Sequence, residues 1–168
     1  MLDLPSTINF SRAEDPQIVC NLLQQAIEWM LVNPPHQSLW HPDEVGLDAI
    51  TAELDRYYLG RIEDLPTVTF MLDDSDDLYW PDSTEPALYV HRIAVARSAA
   101  AKGTGASALP DVFRFAAEIA KERGKGLLRL DCDKTRPSLG KIYEGCGFVY
   151  HSDIQLLDYL GARYQKVL

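Results

Sequence analysis

Two apolar strands joined through a glycine-containing turn and a long helix constrain this chain more than any other feature. Ala87–Val95 is the first strand, and Tyr89, His91, Ile93 and Val95 share one face of it by the two-residue period. A Gly/Ala-rich turn covers Ala99–Gly105. A helix then runs to about Arg123, with Leu109, Val112, Phe113, Ala116, Ala117, Ile119 and Ala120 available for packing. Gly124 and Gly126 end it, and Leu127–Cys132 is the second strand. A strand, a crossover helix and a second strand of one sheet make a right-handed parallel unit. The expected class is therefore α/β (α+β mixed), with a central β-α-β crossover.

The other elements follow from period and punctuation. Thr7–Ser11 alternates as a short strand does. Asp15-Pro16 opens a helix, because Asp caps orphan amides and Pro is tolerated in the first turn. Ile18, Val19, Leu22, Leu23, Ala26, Ile27 and Met30 keep its spacing up to Asn33-Pro34-Pro35. A second helix is expected from about Pro42 to Tyr58, then strands at Leu59–Leu65 and Thr67–Leu72. The acidic run Asp73–Asp77 reads as a solvated turn, and Leu78–Pro81 as the start of another edge. Ser138–Glu144 is a short helix closed by Gly145-Cys146-Gly147; Phe148–Tyr150 and Arg163–Leu168 read as a closing hairpin pair. One domain over residues 1–168 is expected, with about four helices and six to seven strands, mostly antiparallel.

Composition narrows the class. The chain has 168 residues, enough to bury a core without a disulfide or metal staple. Its 46% apolar and 24% charged residues are the balance of a globular protein. No apolar run approaches the roughly 20 residues of a membrane span, and Met1–Phe10 lacks the basic start and apolar core of a secretory signal. Cys20, Cys132 and Cys146 have no metal-ligand spacing, so free thiols in the cytoplasm and no metal are expected. The net charge of −9 argues against a nucleic-acid partner. Residues 1–90 hold 17 acidic and 3 basic side chains, net −14, whereas residues 91–168 hold 8 acidic and 13 basic, net +5. Either these charges only solvate the surface, or two kinds of partner meet on the chain.

A helix N-terminus carries unpaired amides and partial positive charge, and so favours an anion such as a phosphate. Lys102-Gly103-Thr104-Gly105 stands at such a place. It has neither Walker spacing nor a Gly-x-Gly-x-x-Gly fingerprint, because position 108 is Ala. Alone it is equally a bare tight turn. Further on, residues 141–148 read Lys-Ile-Tyr-Glu-Gly-Cys-Gly-Phe, and Tyr143 by itself reads as a half-buried packing residue.

Together these two units resemble the GNAT family of N-acetyltransferases over residues 87–148, and the element order extends the likeness to the rest. In that family a strand ending in an apolar-x-Val pattern leads to Gln/Arg-x-x-Gly-x-Gly/Ala and a helix. Here Val95 leads to Ala100-Ala101-Lys102-Gly103-Thr104-Gly105 at the same spacing. A second signature, Tyr followed by Gly-Phe, is matched by Tyr143 and Gly147-Phe148. Trp80-Pro81 and Leu88–Arg92 resemble bacterial small-molecule members. Two departures stand out. Ala100 occupies the Gln/Arg position, which leaves more to backbone amides, with Lys102, Arg97 or Arg136 as substitutes. Pro110 removes a donor from the helix and is expected to kink or shift it.

The resemblance implies a GNAT-like fold and acetyl-CoA, or another acyl-CoA, as cofactor. Its pantetheine arm is expected beside Ile93, Ala94 and Val95, paired like an added strand. Its pyrophosphate is expected on amides of Ala101, Lys102, Gly103, Thr104, Gly105 and Ala106. The implied reaction is direct transfer of the acetyl group to a primary amine of a small molecule, with Tyr143 as the acid that protonates the leaving thiolate. His91 is the candidate base; Tyr89 or water are alternatives, and so is a His merely packed under the pocket. The acceptor is expected to be cationic, to meet the acidic half, and to be bordered by Trp29, Trp40, Trp80 and Tyr89. The alternative for these tryptophans is core or rim packing. His36 and His41 flank Trp40 in a Pro-rich loop. The final strands leave room for a homodimer. Rival functions are a non-catalytic acyl-CoA sensor, acetylation of a protein or peptide amine, and a nucleotide-phosphate binder, the last lacking a Walker lysine.

Overall fold

The computed structural model describes residues 7–33, 40–101 and 104–168, the side chains of 101 and 104–106 excepted. The elements run β1 (Asn9–Arg12), α1 (Pro16–Val32), α2 (Leu47–Ala52), β2 (Tyr57–Ile62), β3 (Leu65–Asp73), β4 (Ala87–Val95), α3 (Arg97–Ala101), α4 (Thr104–Glu122), β5 (Leu127–Asp133), α5 (Pro137–Gly145), β6 (Val149–Leu156) and β7 (Tyr159–Val167). The strands form one mixed sheet in the order β1-β2-β3-β4-β5-β7-β6. β4 and β5 pair in parallel over Ala87–Tyr89 and Leu127–Arg129, as the crossover requires. The β1–β2, β2–β3, β5–β7 and β6–β7 pairs are antiparallel. Among the described residues no helix is long and apolar enough to cross a membrane. The chain's internal contacts group it into two units, residues 1–71 with 92–111, and 72–91 with 112–168.

In the first unit Asp15 opens α1 by accepting from the Gln17 N–H at 2.9 Å, with Pro16 in the first turn. Such a cap is worth about 1 kcal/mol. Val19, Leu23, Ile27 and Met30 of α1 pack with Val45, Ile50, Tyr57, Met71 and Ala94. The helix expected over Pro42–Tyr58 is instead α2, a 3-10 turn at Leu54–Arg56, and the start of β2. Tyr57, Tyr58 and Leu59 are all at most 2% exposed. A strand buried on both faces shows no alternation, so period could not reveal its first residues, while Leu59–Ile62 lies in the strand expected over Leu59–Leu65. In the same unit Arg92 takes a left-handed φ of 51°, and its guanidinium donates to the Tyr57 hydroxyl at 2.7 Å and to Glu53 at 3.2 Å.

In the second unit Leu128 and Leu130 of β5 are buried. β6 and β7 form a longer hairpin than the sequence suggested, turning at Leu157 with φ 48°. Leu78–Trp80 is a turn, not an edge strand. Asp76 Oδ1 accepts from the Tyr79 N–H at 3.0 Å, and the Asp76 carbonyl from Trp80 N–H at 2.9 Å, which closes the backbone on itself. Elsewhere, α3 occupies part of the turn expected at Ala99–Gly105, which brings the helices to five rather than four among the described residues. α4 is one continuous helix with Pro110 inside it.

Candidate active site

Tyr143 owes its position to the way α5 ends. Pro137 sits in the first turn of the helix, where its missing N–H costs nothing. Cys146 caps the other end, and Gly147 follows in the left-handed region at φ 89°. The Gly147 N–H donates to the Glu144 carbonyl at 3.0 Å, and the Phe148 N–H to the Tyr143 carbonyl at 3.1 Å. This paired closure needs a residue that tolerates positive φ, and it brings the residue after the glycine onto the helix's last turn. Phe148 accordingly meets Tyr143 with ring centroids 6.3 Å apart. Phe113 and Tyr164 flank the same ring at 5.9 and 6.0 Å, leaving Tyr143 9% exposed. The Tyr-x-x-x-Gly-Phe pattern is thus a helix stop and an aromatic seat in one. Burial above all raises the Tyr143 hydroxyl far above its ordinary range; Cys132 and Asp131 add to this, and Arg136 opposes it. The phenol therefore keeps its proton at neutral pH, and as an acid it is weaker than a free phenol.

His91 anchors a second group. Its Nε2 lies 3.5 Å from Asp76 Oδ2 and 3.8 Å from Asp73 Oδ2. The side chains of Asp73 and Asp76 are 12% and 6% exposed, and that of His91 16%. The acidic run is therefore no simple solvated turn: Asp73 and Asp76 point inward while Asp74 is exposed and pairs with Arg123 at 3.1 Å. One ligand atom each from Asp76, His91 and Asp131 fall within 4.8 Å of one another. The Tyr159 hydroxyl donates to Asp131 Oδ2 at 2.6 Å. Burial pushes the Asp131 carboxyl up, against the pull of the Tyr159 hydrogen bond and of the His91 and Arg163 charges. One imidazole among three carboxylates is an arrangement suited to holding a cation. Composition and spacing gave no sign of it, because Asp76, His91 and Asp131 come from separate elements.

Trp80 and Tyr89, expected to border an acceptor, are enclosed instead. Trp80 is 2% exposed, with the Arg129 and Arg163 guanidiniums 4.6 and 4.8 Å from its ring centroid. Its ring is already occupied by cations of the protein itself. Tyr89 is 3% exposed and its hydroxyl donates to Ser83 Oγ at 2.9 Å. Arg129, itself 2% exposed, bonds Ser83, Glu85 and Gln165. Trp80, Asp82, Ser83, Thr84, Glu85, Arg129 and His151 line a cavity of about 150 Å³. In the first unit Trp29 lies under the Arg97 guanidinium at 4.8 Å, and Trp29 and Trp40 are partly buried against the core. His41 is exposed; His36 lies outside the described residues.

The expected phosphate loop is described only in part. Lys102 and Gly103 lie outside the described residues, as do the side chains of Ala101, Thr104, Gly105 and Ala106. The backbone of Ala101 ends α3 and that of Thr104 opens the 19-residue α4. Ala94 turns into the first unit's core at 2% exposure, while Ile93 and Val95 stay half-buried. The left-handed Arg92 interrupts the strand's alternation, so the shared face read for Tyr89, His91, Ile93 and Val95 ends there. Arg136 is the N-cap residue of α5 and acts electrostatically on Tyr143 and Cys132.

No protein-family model matches the chain. It is 27% identical over 146 residues to an uncharacterized N-acetyltransferase, YesJ, of Bacillus subtilis (strain 168), a match that covers 82% of this chain and 78% of that protein. A GNAT-family acetyltransferase of Listeria monocytogenes 4b F2365 superposes with a TM-score of 0.74 at 22% identity, over 96% of this chain and 94% of the other. The aminoglycoside acetyltransferase AAC(6')-Ib, solved with coenzyme A and kanamycin, superposes with a TM-score of 0.68 at 12% identity, over 96% and 95%. The mixed seven-stranded sheet is the fold of these acetyltransferases.

Proposed function

We propose that this chain, whose fold is that of GNAT-family acetyltransferases and whose sequence is similar to that of an N-acetyltransferase, belongs to that family and transfers an acyl group from acyl-CoA to the amine of a small cationic molecule. The observation that carries the reading is the buried Tyr143 side chain, ringed by Phe113, Phe148 and Tyr164 and seated by the Gly147-Phe148 helix stop. The cofactor reading is supported by the half-buried Ile93 and Val95 of β4 and by the start of α4 at Thr104, whose first amides have no partner within the helix. It is supported too by AAC(6')-Ib, solved with coenzyme A. Bound acyl-CoA supplies an activated thioester.

The chain's own groups then handle two protons. The Tyr143 hydroxyl gives one to the sulfur as the carbon–sulfur bond breaks. His91 takes one from the ammonium, directly or through water, so that the amine attacks as the neutral base. The Asp76 and Asp73 carboxylates stand 3.5 and 3.8 Å from the His91 Nε2. A cationic acceptor fits the −14 charge of residues 1–90, and the aminoglycoside enzyme's kanamycin is such an amine. With Trp80 and Tyr89 enclosed and the Trp29 ring covered by the Arg97 guanidinium, Trp40 is the remaining one of these aromatic candidates for the acceptor side. The same reading places the protein in the cytoplasm with its three thiols free. It also places a homodimer at β6, which ends the strand order and exposes Val149 and Tyr150.

The test is amine-dependent release of free thiol from acetyl-CoA across diamines, polyamines, neutral amines and peptides with free N-termini. Cationic small amines are expected to be the best acceptors. Turnover with peptides alone would move the substrate to protein amines. Binding of acetyl-CoA without turnover of any amine would leave an acyl-CoA sensor in place of an enzyme.

A further inference from the structure

We propose that Asp76, His91 and Asp131 form a binding site for a divalent transition-metal ion of the zinc class. The inference does not rest on acyl transfer, and it runs against the absence of metal expected from cysteine spacing.

Three observations carry it. First, the donor atoms are already gathered, all within 4.8 Å. An ion with bonds of about 2.1 Å holds tetrahedral ligand atoms roughly 3.4 Å apart. The His91 Nε2 to Asp76 Oδ2 separation of 3.5 Å matches that edge, and Asp73 Oδ2 stands 3.8 Å from the same nitrogen as a fourth candidate ligand. Second, Asp76 Oδ2 is buried and has no hydrogen-bond partner among the described residues, on a side chain 6% exposed. A buried carboxylate oxygen left so is costly unless something cationic meets it. It faces the imidazole nitrogen at a distance that suits a shared ion better than a direct hydrogen bond. Third, the surroundings resemble those of a metal site. The Tyr159 hydroxyl donates to Asp131 Oδ2 and fixes that carboxylate, as groups behind metal ligands do. Arg163, the cation acting on Asp131, is also engaged with Asp82 and Ser152. Three carboxylates facing one imidazole leave an excess of negative charge that a divalent ion offsets.

One nitrogen and two or three carboxylate oxygens suit zinc, cobalt, manganese or ferrous iron better than calcium or magnesium, which take all-oxygen shells. An ion held there also occupies the His91 nitrogen, so it is expected to inhibit acyl transfer rather than assist it.

The experiment titrates the chelator-treated protein with cobalt(II), a spectroscopic stand-in for zinc. One equivalent is expected to bind with ligand-field bands in the visible and without sulfur-to-metal charge transfer. Asp76→Asn and Asp131→Asn, each checked for folding by its melting curve, are expected to weaken binding by at least about 10-fold. In the wild-type protein, zinc is expected to shift the NMR signals of the His91 ring, a measurement that needs no variant. Absence of saturable cobalt binding overturns the proposal. So does unchanged affinity in the folded variants, or a His91 ring that zinc leaves unmoved.

Discussion

The backbone N–H of Phe148 donates to the carbonyl of Tyr143 at 3.1 Å, so the helix stop and the placement of the phenol are one structure. Gly147 between them holds φ 89°, and a Cβ there would come within 3.3 Å of the Lys166 side chain. Gly147→Ala is expected to cost about 1–2 kcal/mol, lowering the melting temperature by roughly 2–8 °C in a chain of this size. Turnover should fall as well, because the loosened stop no longer fixes Tyr143. Calorimetry and steady-state kinetics on the same preparation check both.

Arg129 ties the Trp80 neighbourhood together through Ser83, Glu85 and Gln165. Its Glu85 partner is 61% exposed, so removing the arginine strands no buried carboxylate. Ser83 keeps the Tyr89 hydroxyl as a partner. The expected cost of Arg129→Met is therefore that of lost hydrogen bonds and an unpaired Gln165 side-chain oxygen, about 1–3 kcal/mol, below that of breaking a fully buried pair. Denaturant unfolding measures it.

The three thiols differ in environment. Burial pushes the Cys132 thiol up to about 12, with Asp131 and Asp133 adding to the rise. Cys20 is buried, and Cys146 is only partly so, with Lys166 opposing the rise that burial gives its thiol. Alkylation of the native protein at about pH 8 should therefore label Cys146 first and slowly and leave Cys132 untouched, whereas the unfolded chain should label at all three. Peptide mass spectrometry reads the order.

The Arg163 guanidinium donates to Asp82 Oδ1 at 2.8 Å and holds that exposed carboxyl below its ordinary range. A carboxyl whose pKa falls on folding stabilises the protein above its unfolded value, about 3.9. That contribution is lost as pH falls through the lower folded value. Melting temperatures of the wild type and Asp82→Asn should differ slightly near neutrality and converge in acid below that window. A gap independent of pH would contradict the pairing.

The order of elements was legible in the sequence because strands and helices alternate with strong punctuation, as at Asp15-Pro16 and Gly145-Cys146-Gly147. The start of β2 was not. Tyr57–Gly60 is buried without alternation, and its helix-like spacing with Ile50 and Leu54 continued a pattern that the sheet overrides. The seat of Tyr143 was legible because it depends on a local helix stop written within six residues. The His91 cluster was not, because Asp76 and Asp131 approach it only through the sheet topology. For a related reason the enclosure of Trp80 and Tyr89 was not legible. Their aromatic character said nothing of Arg129 and Arg163, which the fold sets against the Trp80 ring.

The central claim is that Tyr143 donates the proton to the leaving thiolate, and Tyr143→Phe tests it most directly. The substitution removes only the hydroxyl and keeps the ring against Phe113, Phe148 and Tyr164. Acetyl-CoA affinity and kcat are measured side by side on the folded variant. The account predicts unchanged affinity with kcat lowered about 10²–10⁴-fold. Unchanged kcat would contradict it.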